Sequence, residues 1–550
     1  MRNRGTRQTT LWTSRTACVL IVLVVGLTVA QSRLAPKKTK KGDQRVYLVH
    51  SDELKYDEQG PTPDAQIAKG HVQFRHQGAY VWCDSAYFYQ ETNSLKAFGH
   101  VRFKQGDTLS MTCNYAYYDG YSQMLQARRN VVLRHRNQVL NTDSLNYDRL
   151  YNSAYFFEGG TLTDGDDKLV ADWGQYNMST REAEFFFNVK MRSGDNFIET
   201  DTLFYDTRSQ MAHVLGKGSK ITSKDSSVDT ENAYYNTATK HAELFGRSVL
   251  VDKERSITGD SLYYEKNGDS YGYGNVIYVD SKNKHSLICD ELHYNEGTGR
   301  GYATKNALLK DFSQGDTLYA HADSLKIETF YINTDSVYRK VHCFDHVRAY
   351  RSDVQAVCDS LVVNSKDSCM TMYKDPIVWN EGRQLLGEKI LVYMNDSTIR
   401  QANVVGQALS VEYMPQYDRY NQISAKEMRA YFDAGKLRKT EAMGNVCTIY
   451  YPIDDKDSTL IGLNYLETDT MRMFLSEARK LEKIRTSKFA GTAYPINQIP
   501  LGKDKLESFA WFEELRPIDK DDIFNWRGKD DDKKLKIISR QKAPLQRLDE

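Results

Sequence analysis

A short phrase recurs along this chain about every thirty residues, and the recurrence restricts the folds that the chain can adopt. The phrase is clearest at Thr142–Asp148, which reads Thr-Asp-Ser-Leu-Asn-Tyr-Asp. Its polar anchor advances in steps of 29 or 30 residues through Asp84, Asn114, Asp143, Asp172, Asp201, Glu231, Asp260 and Asp290. The steps then lengthen irregularly through Asp323, Asp359, Glu388, Lys426 and Leu463. A fixed period of this kind predicts stacked repeats that share one apolar core.

The composition favours strands joined by tight turns. Tyr (37) and Gly (34) are abundant among the 550 residues, whereas Pro (10) is scarce, and aromatic residues are typical of strands as glycine is of turns. The formal net charge is only +1, so no global field points to nucleic acid as a partner. We therefore predict an elongated all-β array of stacked antiparallel strands.

Apolar and polar residues alternate within one repeat, as they do in a strand with one buried face. Odd positions from Leu95 to Phe103 are small or apolar, whereas most even positions are polar. The same alternation of apolar and polar residues recurs thirty residues later, although Arg129 occupies the position that Gly99 has in the preceding repeat. The predicted interior row comprises Leu95, Ala97, Val101, Phe103, Leu125, Ala127, Leu145, Tyr147, Leu203, Tyr205, Leu262 and Tyr264.

Two architectures fit these repeats. We expect each unit to be an anchor strand that starts at the turn-side acid, a short turn, and a second strand that ends in a Gly-polar-Val step such as Gly274-Asn275-Val276. Such units build either a β-helix with one rung per repeat or a twisted antiparallel sheet, folded over itself, that gains one hairpin per repeat.

The N-terminal region has the features of an export signal. Four arginines precede an apolar run from Ala17 to Leu27, and Thr28-Val29-Ala30 offers a cleavage site of small residues. We therefore predict a signal peptide over 1–30, cleaved near Ala30, and a basic linker over 31–45. An uncleaved anchor is disfavoured, because the apolar run is shorter than the roughly 20 residues that span a membrane.

The remaining chain divides into four predicted segments. Regular repeats cover 46–300, and looser repeats cover 301–465. A helix over 466–490, centred on Asp469–Lys488, is predicted because Met471, Phe474, Ala478 and Leu481 share a helical face; it would cap the open end of the array. The tail over 491–550 carries aromatic residues, including Trp511 and Trp526, and we expect it to pack on the array or on a partner.

Four cysteines share one position of the repeat, directly before the anchor: Cys83, Cys113, Cys289 and Cys358. Other repeats place Thr, Ala or Gly there, so the column favours small buried residues over a ladder of disulfides. The spacing of equivalent positions, about 9.6 Å for two strands per repeat, also exceeds the reach of a disulfide.

No pattern predicts a catalytic residue, a metal ligand or a cofactor. The chain has no nucleophile elbow, phosphate loop or metalloprotease helix. The anchor acids recur in every unit, which favours a structural cap over a catalytic pair. His71 and His100 occupy one outward column, and we expect them to face solvent.

The Gly-His-Val and Gly-Asn-Val steps, the Asp-Ser-Leu-x-Tyr phrase and the export signal together resemble the OstA family, which includes the LptA proteins that bridge the periplasm in lipopolysaccharide transport. The likeness is best over about residues 46–300 and extends toward 465; it rests on the period rather than on invariant residues. The chain has more repeats than the short bridge proteins, and it looks most like the long OstA-like proteins of the Bacteroidetes.

This resemblance implies a β-taco or β-jellyroll whose apolar groove shields lipid A acyl chains. The interior row named above would then be the lipid-binding row. The implied partners are lipopolysaccharide and other envelope transport proteins with OstA-like or jellyroll edges at either end, and the implied location is the periplasm, with association at the outer membrane. The interior row by itself is equally compatible with a closed, dry core.

Two other classes of function remain open at this stage. A structural or assembly scaffold of the cell envelope would capture partners through the array and carry no lipid. A carbohydrate-active enzyme would need one singular acidic pair on one repeat, and the sequence shows none.

Overall fold

The computed structural model describes residues 44–527 except 57, 314, 333, 381, 396–397, 455 and 478–480. The predicted signal peptide and nearly all of the basic linker lie outside the described residues. The regular structure is almost entirely antiparallel β-strand, which confirms the predicted fold class. Within the described part of the chain, no helix is long and apolar enough to cross a membrane.

The chain forms two compact units. Unit 1 comprises Met1–Phe156 with Asn177–Thr180, and unit 2 comprises Phe157–Tyr176 with Arg181–Glu550. Each unit is described by itself below.

Unit 1 is a meander of antiparallel strands. Its first two strands pair with the two halves of the third, and each later strand pairs with the next. The strands are β1 (Tyr47–His50), β2 (Glu53–Tyr56), β3 (Gln66–His76), β4 (Ala79–Tyr89), β5 (Ser94–Gln105), β6 (Leu109–Asp119), β7 (Met124–His135), β8 (Gln138–Asp148) and β9 (Ser153–Phe156).

Unit 2 continues the same pattern. Its first strands are β10 (Gly160–Asp164), β11 (Asp167–Ala171), β12 (Trp173–Asn177), β13 (Glu182–Ser193), β14 (Asn196–Asp206), β15 (Met211–Thr222), β16 (Ser226–Asn236), β17 (Ala242–Asp252), β18 (Arg255–Tyr264), β19 (Asp269–Asp280) and β20 (His285–Asn295). From β13 to β20 each long strand pairs antiparallel with its successor.

The later repeats of unit 2 are less regular, and several strands are split at their middle into two short strands. They are β21 (Arg300–Thr304), β22 (Leu308–Asp311), β23 (Leu318–His321), β24 (Ser324–Phe330), β25 (Tyr338–Tyr350), β26 (Val354–Asn364), β27 (Cys369–Tyr373), β28 (Ile377–Asn380), β29 (Arg383–Leu386), β30 (Lys389–Asn395), β31 (Thr398–Met414), β32 (Arg419–Asp433), β33 (Lys436–Tyr450), β34 (Gly462–Leu475), β35 (Leu481–Thr486) and β36 (Phe489–Pro495). Three short 3₁₀ helices follow at Ile496–Gln498, Glu513–Leu515 and Asp522–Phe524.

In the regular repeats every second long strand bends at a bulge in its middle. In β5 the register shifts between Phe98 and Val101, where Gly99 and His100 both have positive φ, 74° and 36°. The anchor acid of the neighbouring strand caps this bend, because His100 Nδ1 lies 2.7 Å from Asp84 Oδ2. A Cβ on residue 99 would lie 2.3 Å from that same oxygen, so glycine is required where the carboxylate approaches this closely.

The bends correct the predicted layout of the repeat. The anchor acid and the Gly-polar-Val step both lie in the middle of strands, not at a turn or a strand end, because a bulge redirects a strand without ending its pairing. Each repeat adds one antiparallel hairpin, such as β4 with β5, so the folded antiparallel sheet is the observed architecture and the β-helix is excluded. The prediction that the anchor acids act as structural caps is confirmed at Asp84.

The predicted capping helix over 466–490 is wrong. Asp469–Leu475 belongs to β34, and β35 covers Leu481–Thr486. Met471 and Met473 follow the two-residue period of a strand, whereas Met471 and Phe474 also fit a helical period, and β33 offers β34 an edge of backbone donors and acceptors with which it pairs. Such tertiary pairing overrides a weak local helical preference. Strands β35 and β36, which pair with the two halves of β34, occupy the place predicted for the helix.

The aromatic tail packs on unit 2, which confirms the prediction that it packs against the array. We call residues 504–527 the C-terminal strap. Phe512 joins a buried cluster with Trp379 and Val411 on the outer face of the sheet. The Gln384 side chain accepts a hydrogen bond from Phe512 N at 2.8 Å and donates one to the Ala510 carbonyl at 2.9 Å, so the strap is bound through its backbone.

Candidate functional site

Eleven of the twelve predicted interior residues are buried. In unit 1 these are Leu95, Ala97, Val101, Phe103, Leu125, Ala127, Leu145 and Tyr147, and in unit 2 they are Leu203, Tyr205 and Leu262. Tyr264 differs, because 36% of it is exposed. Eleven of the predicted positions are thus buried, each within its own unit, Tyr264 is partly exposed, and the assignment of the row as a lipid-binding site stays a prediction.

The tyrosine of the repeated phrase reports how the interior is covered. It lies near one end of its strand and points inward in successive repeats as Tyr118, Tyr147, Tyr176, Tyr205, Tyr235, Tyr264 and Tyr294. The first five are at most 8% exposed, whereas Tyr264 is 36% exposed and Tyr294 is half-buried. The interior is therefore closed at the early repeats and opens between Tyr235 and Tyr264.

In unit 1 the two rows of hairpin turns meet over the interior. We call the turns after β3, β5 and β7 the first lip, and those after β4, β6 and β8 the second lip. Tyr118, near the second lip, has its hydroxyl 2.6 Å from Nδ1 of His76, at the end of β3 on the first lip. Contacts between opposite strand ends require the sheet to curl until its lips touch, so unit 1 encloses a core.

Tyr147 takes part in the same closure. Its hydroxyl lies 3.1 Å from Asn152 Oδ1 and 3.4 Å from Gln105 Oε1, and it donates its one hydrogen to these acceptors. Burial raises the pKa of Tyr147 well above its usual range, although Arg149 opposes part of the shift. Beneath this closure a cavity of about 10 Å³, lined in part by Phe74, Leu95 and Tyr118, has room for about one water molecule. The interior at this point is a packed core and not a groove.

Lip-to-lip contacts continue into the first repeats of unit 2. Here the first lip comprises the turns after β10, β13, β15, β17 and β19. Tyr205 donates a hydrogen bond to Asp167 Oδ2 at 3.3 Å, and Asn196 Nδ2 donates one to the Tyr235 hydroxyl at 2.9 Å. Burial raises the pKa of Tyr205 and of Tyr235 to about 12. Tyrosine is thus the residue that closes the lips as well as one that fills the interior.

The walls of the interior become half-exposed after Tyr235. Equivalent positions of the repeat make the change visible: Met111 in unit 1 is 2% exposed, whereas Ile257 and Leu287 are only half-buried. Burial still raises the pKa of Tyr264, to which the charges of Glu296 and Asp252 also contribute.

The floor of this open stretch stays fully apolar. One continuous cluster of buried side chains runs along it, namely Val276, Cys289, Ala303, Ala307, Ala322, Leu325, Cys343, Val347, Cys358, Leu361, Met372, Ile390, Val404, Ala408, Ala425, Met428, Ala442, Val446 and Met471. Half-buried side chains pack against it as walls: Ile257, Leu287, Leu292, Val341, Ala356, Val363, Met370, Val378, Val392, Ile423, Leu466 and Met473. We call this part of unit 2 the apolar groove.

Two cysteines of the predicted column, Cys289 and Cys358, form part of the floor. Cys83, Cys113, Cys289 and Cys358 are all buried, free thiols, which confirms that this position holds a small buried residue. Burial raises the pKa of Cys289 to about 12 and that of Cys113 to about 11. These thiols are therefore protonated at neutral pH and unreactive, as structural cysteines are.

Two arginines lie close enough to Tyr278, on the wall of the groove, to affect its pKa. Burial raises the pKa of this tyrosine, and the positive charges of Arg255 and Arg339 oppose the increase. Arg255 Nε also lies 3.6 Å from Asp280 Oδ2. The groove thus combines an apolar floor with positive charge near one part of its wall.

The floor and walls of the apolar groove are lined by apolar side chains. Within the described residues, no group of three or more His, Cys, Asp or Glu side chains is placed to hold a metal ion. The outward histidines lie as predicted: the side chains of His71 and His100 are 87% and 92% exposed and pair with Asp52 and Asp84.

Sequence reasoning missed two groups of residues. The lip contacts at His76, Gln105 and Arg149 were not predicted, although polar residues in the inward phase at strand ends are a signal that could have identified them. The walls of the groove beyond Leu287 were not predicted, because the period drifts after Asp290 and inward positions can no longer be assigned by counting.

Three comparisons with known proteins bear on this site. A family profile described as OstA-like protein matches residues 43–201 and 184–290. Among solved structures, LptH from Pseudomonas aeruginosa, the LptA-homologous periplasmic component of a lipopolysaccharide transport device, matches with 17% identity over 25% of this chain and 82% of that chain, with a TM-score of 0.14. The comparison with curated proteins gave no match.

Proposed function

Because this chain is an OstA-like protein, with the family's sequence pattern over residues 43–290, we propose that it binds lipopolysaccharide through lipid A acyl chains and carries it across the periplasm toward the outer membrane. The proposed binding site is the apolar groove of unit 2. The proposed partners are lipopolysaccharide and envelope transport proteins that continue the groove at either end of the array.

One observation carries this proposal: the row of inward tyrosines changes from buried to exposed while the floor beneath it stays apolar. At Tyr264 the row is 36% exposed, yet Leu262, on the same face of β18, is 5% exposed. Exposed apolar walls above a continuous apolar floor are costly in water and typical of binding surfaces.

The energetics of such a groove suit an acyl chain. Burial of one methylene stabilises by about 0.8 kcal/mol, so a chain of about fourteen carbons gains on the order of 10 kcal/mol when it is fully covered. A groove that is open on one side covers only part of the chain, which leaves the lipid able to move along it. The sugars and phosphates remain in water, and the positive charge of Arg339 favours an anionic head group nearby, whereas Arg255 is paired with Asp280.

Site-specific photocrosslinking tests the proposal at two adjacent residues. A benzophenone amino acid replaces Tyr264, which points into the groove, or Tyr263, which points to the outer face of the same strand. In a bacterium that makes lipopolysaccharide, we expect an adduct with lipopolysaccharide at position 264 and little or none at position 263. The matched pair controls for expression, location and local structure.

Two outcomes would contradict the proposal. Equal labelling at both positions would mean that the adduct reports proximity to membranes and not occupancy of the groove. A lack of adduct at position 264 and at Leu287 would favour the scaffold alternative, in which the array binds proteins only. Mass spectrometry of protein purified without detergent provides an independent readout, because bound lipid A would co-purify.

A further inference from the structure

A buried arginine lies at the centre of the closed lips of unit 1. Arg149 is 7% exposed and follows β8 at the second lip. Its Nη1 donates to the Tyr118 hydroxyl at 2.5 Å, and its Nε donates to Gln105 Oε1 at 2.8 Å. Its Nη2 donates to the Gln77 carbonyl at 3.2 Å. Its three nitrogens therefore contact Tyr118 of β6 and the ends of β5 and β3 on the first lip.

The position of Arg149 in the repeat makes it singular. Two positions after the inward tyrosine, the other closed repeats have Gly120, Met178, Thr207 and Thr237, whereas the open repeats have Lys266 and Glu296. Among the closed repeats, Arg149 is thus the one long charged residue at this position, although these repeats fold in the same way. The arginine is therefore not a requirement of the repeat, and its role is particular to this place in the chain.

The partners of Arg149 are unusual for a buried charge. The groups that accept its hydrogen bonds, the Tyr118 hydroxyl, the Gln105 amide and the Gln77 carbonyl, are all neutral. A guanidinium carries a positive charge, and burial of a charge among neutral acceptors costs free energy. The closed state is thus held by bonds that water can replace once the lips separate, which suits a closure that opens.

We propose that Arg149 is a latch: it holds the lips of unit 1 closed over their apolar interior, and a lipid acyl chain enters that interior only after Arg149 releases Tyr118 and Gln105. This inference rests on the proposed function, since it names the residue that determines which parts of the chain accept lipid. The interior behind the latch has the chemistry that acyl chains require, because Leu95, Phe103 and Met111 line it.

Photo-methionine labelling of the full-length protein tests the latch and the groove in one sample. Its diazirine side chain is close in size to methionine, so the packed interior is little disturbed. Met111 reports the interior of unit 1 and is 2% exposed, whereas Met370 is a wall residue of the apolar groove. Peptide mass spectrometry after illumination in the presence of lipopolysaccharide gives the adduct at each methionine.

The expected result is an adduct at Met370 and almost none at Met111 in the unaltered protein. Arg149→Met should raise the adduct at Met111 at least tenfold relative to that at Met370, and Tyr118→Phe should raise it by a smaller factor. Arg134→Met, which removes an exposed arginine from the outer face of unit 1, should change neither. Thermal unfolding of each variant checks that unit 1 still folds.

Each other outcome has a defined meaning. Equal adducts at Met111 and Met370 in the unaltered protein, or no increase at Met111 in Arg149→Met while Met370 is labelled, would overturn the latch and leave the proposed function standing. No adduct at Met370 in any sample would count against the proposed function. The latch is then decided without lipopolysaccharide, by fluorescence of N-phenyl-1-naphthylamine: greater binding by Arg149→Met than by Arg134→Met supports it, and equal binding overturns it.

Discussion

The contrast between a closed and an open interior can be tested by one substitution made at two equivalent positions. Tyr147 and Tyr264 occupy the same place in their repeats, but Tyr147 is 0% exposed and Tyr264 is 36% exposed. We predict that Tyr147→Ala destabilises its surroundings much more than Tyr264→Ala does. Each substitution serves as the matched control for the other.

The burial of each tyrosine gives the expected loss of local stability. A fully buried tyrosine covers about 200 Å² of surface, which at about 25 cal/mol per Å² corresponds to about 5 kcal/mol. Tyr147→Ala also leaves a cavity and removes the hydrogen bonds to Asn152 and Gln105. Tyr264→Ala removes about two-thirds of that buried area, which corresponds to about 3 kcal/mol of stability, and it leaves no enclosed cavity. The two effects should differ by at least about 2 kcal/mol, a factor of about 30 in the local opening constant.

Native-state hydrogen exchange measures these local free energies. The amides of β7 and β8 report on Tyr147, and those of β17 and β18 report on Tyr264, because Tyr147 pairs with Leu125 and Tyr264 pairs with Ala242. Exchange is compared with that of the unaltered protein at the same amides. Equal losses at the two sites would refute the assignment of a closed interior in unit 1 and an open groove in unit 2.

Three further predictions concern the strap, the bend and the effect of alkaline pH. Gln384→Ala removes two buried hydrogen bonds to the strap, and at about 1 kcal/mol or more for each it should accelerate hydrogen exchange at the Phe512 amide about 30-fold; unchanged exchange would show that the strap is held by its apolar contacts alone. Gly99→Ala should destabilise unit 1 more than Gly106→Ala, because both glycines have positive φ but only a Cβ at 99 would meet neighbouring atoms; equal urea midpoints would contradict the account of the bend. Burial raises the pKa of Tyr205 to about 12, above the ordinary value of about 10, so its contribution to stability is present below pH 10 and is lost as the pH rises to about 12. Urea titrations across that interval should show a steeper loss in the unaltered protein than in Tyr205→Phe, and parallel curves would contradict this prediction.

Local sequence patterns predicted the interior but failed at the C-terminal end of the array. Alternation over Leu95–Phe103 identified the buried face because successive side chains of a strand point to opposite sides. The same kind of local reasoning assigned a helix to Asp469–Lys488, where Met471 fits a helical period with Phe474 and a strand period with Met473. Only pairing with β33 decides between the two, and that pairing lies outside the local sequence.

Short-range patterns in the sequence predicted the class of fold, the repeat and the inward phase. Each of these depends on residues within one repeat and its immediate neighbour, as the alternation over Leu95–Phe103 illustrates. The tertiary structure alone decided where the interior is closed and where it is open. That outcome depends on contacts such as those of Arg149 with Gln77 and Gln105, 72 and 44 residues away along the chain, which arise only when the sheet curls and brings its two lips together.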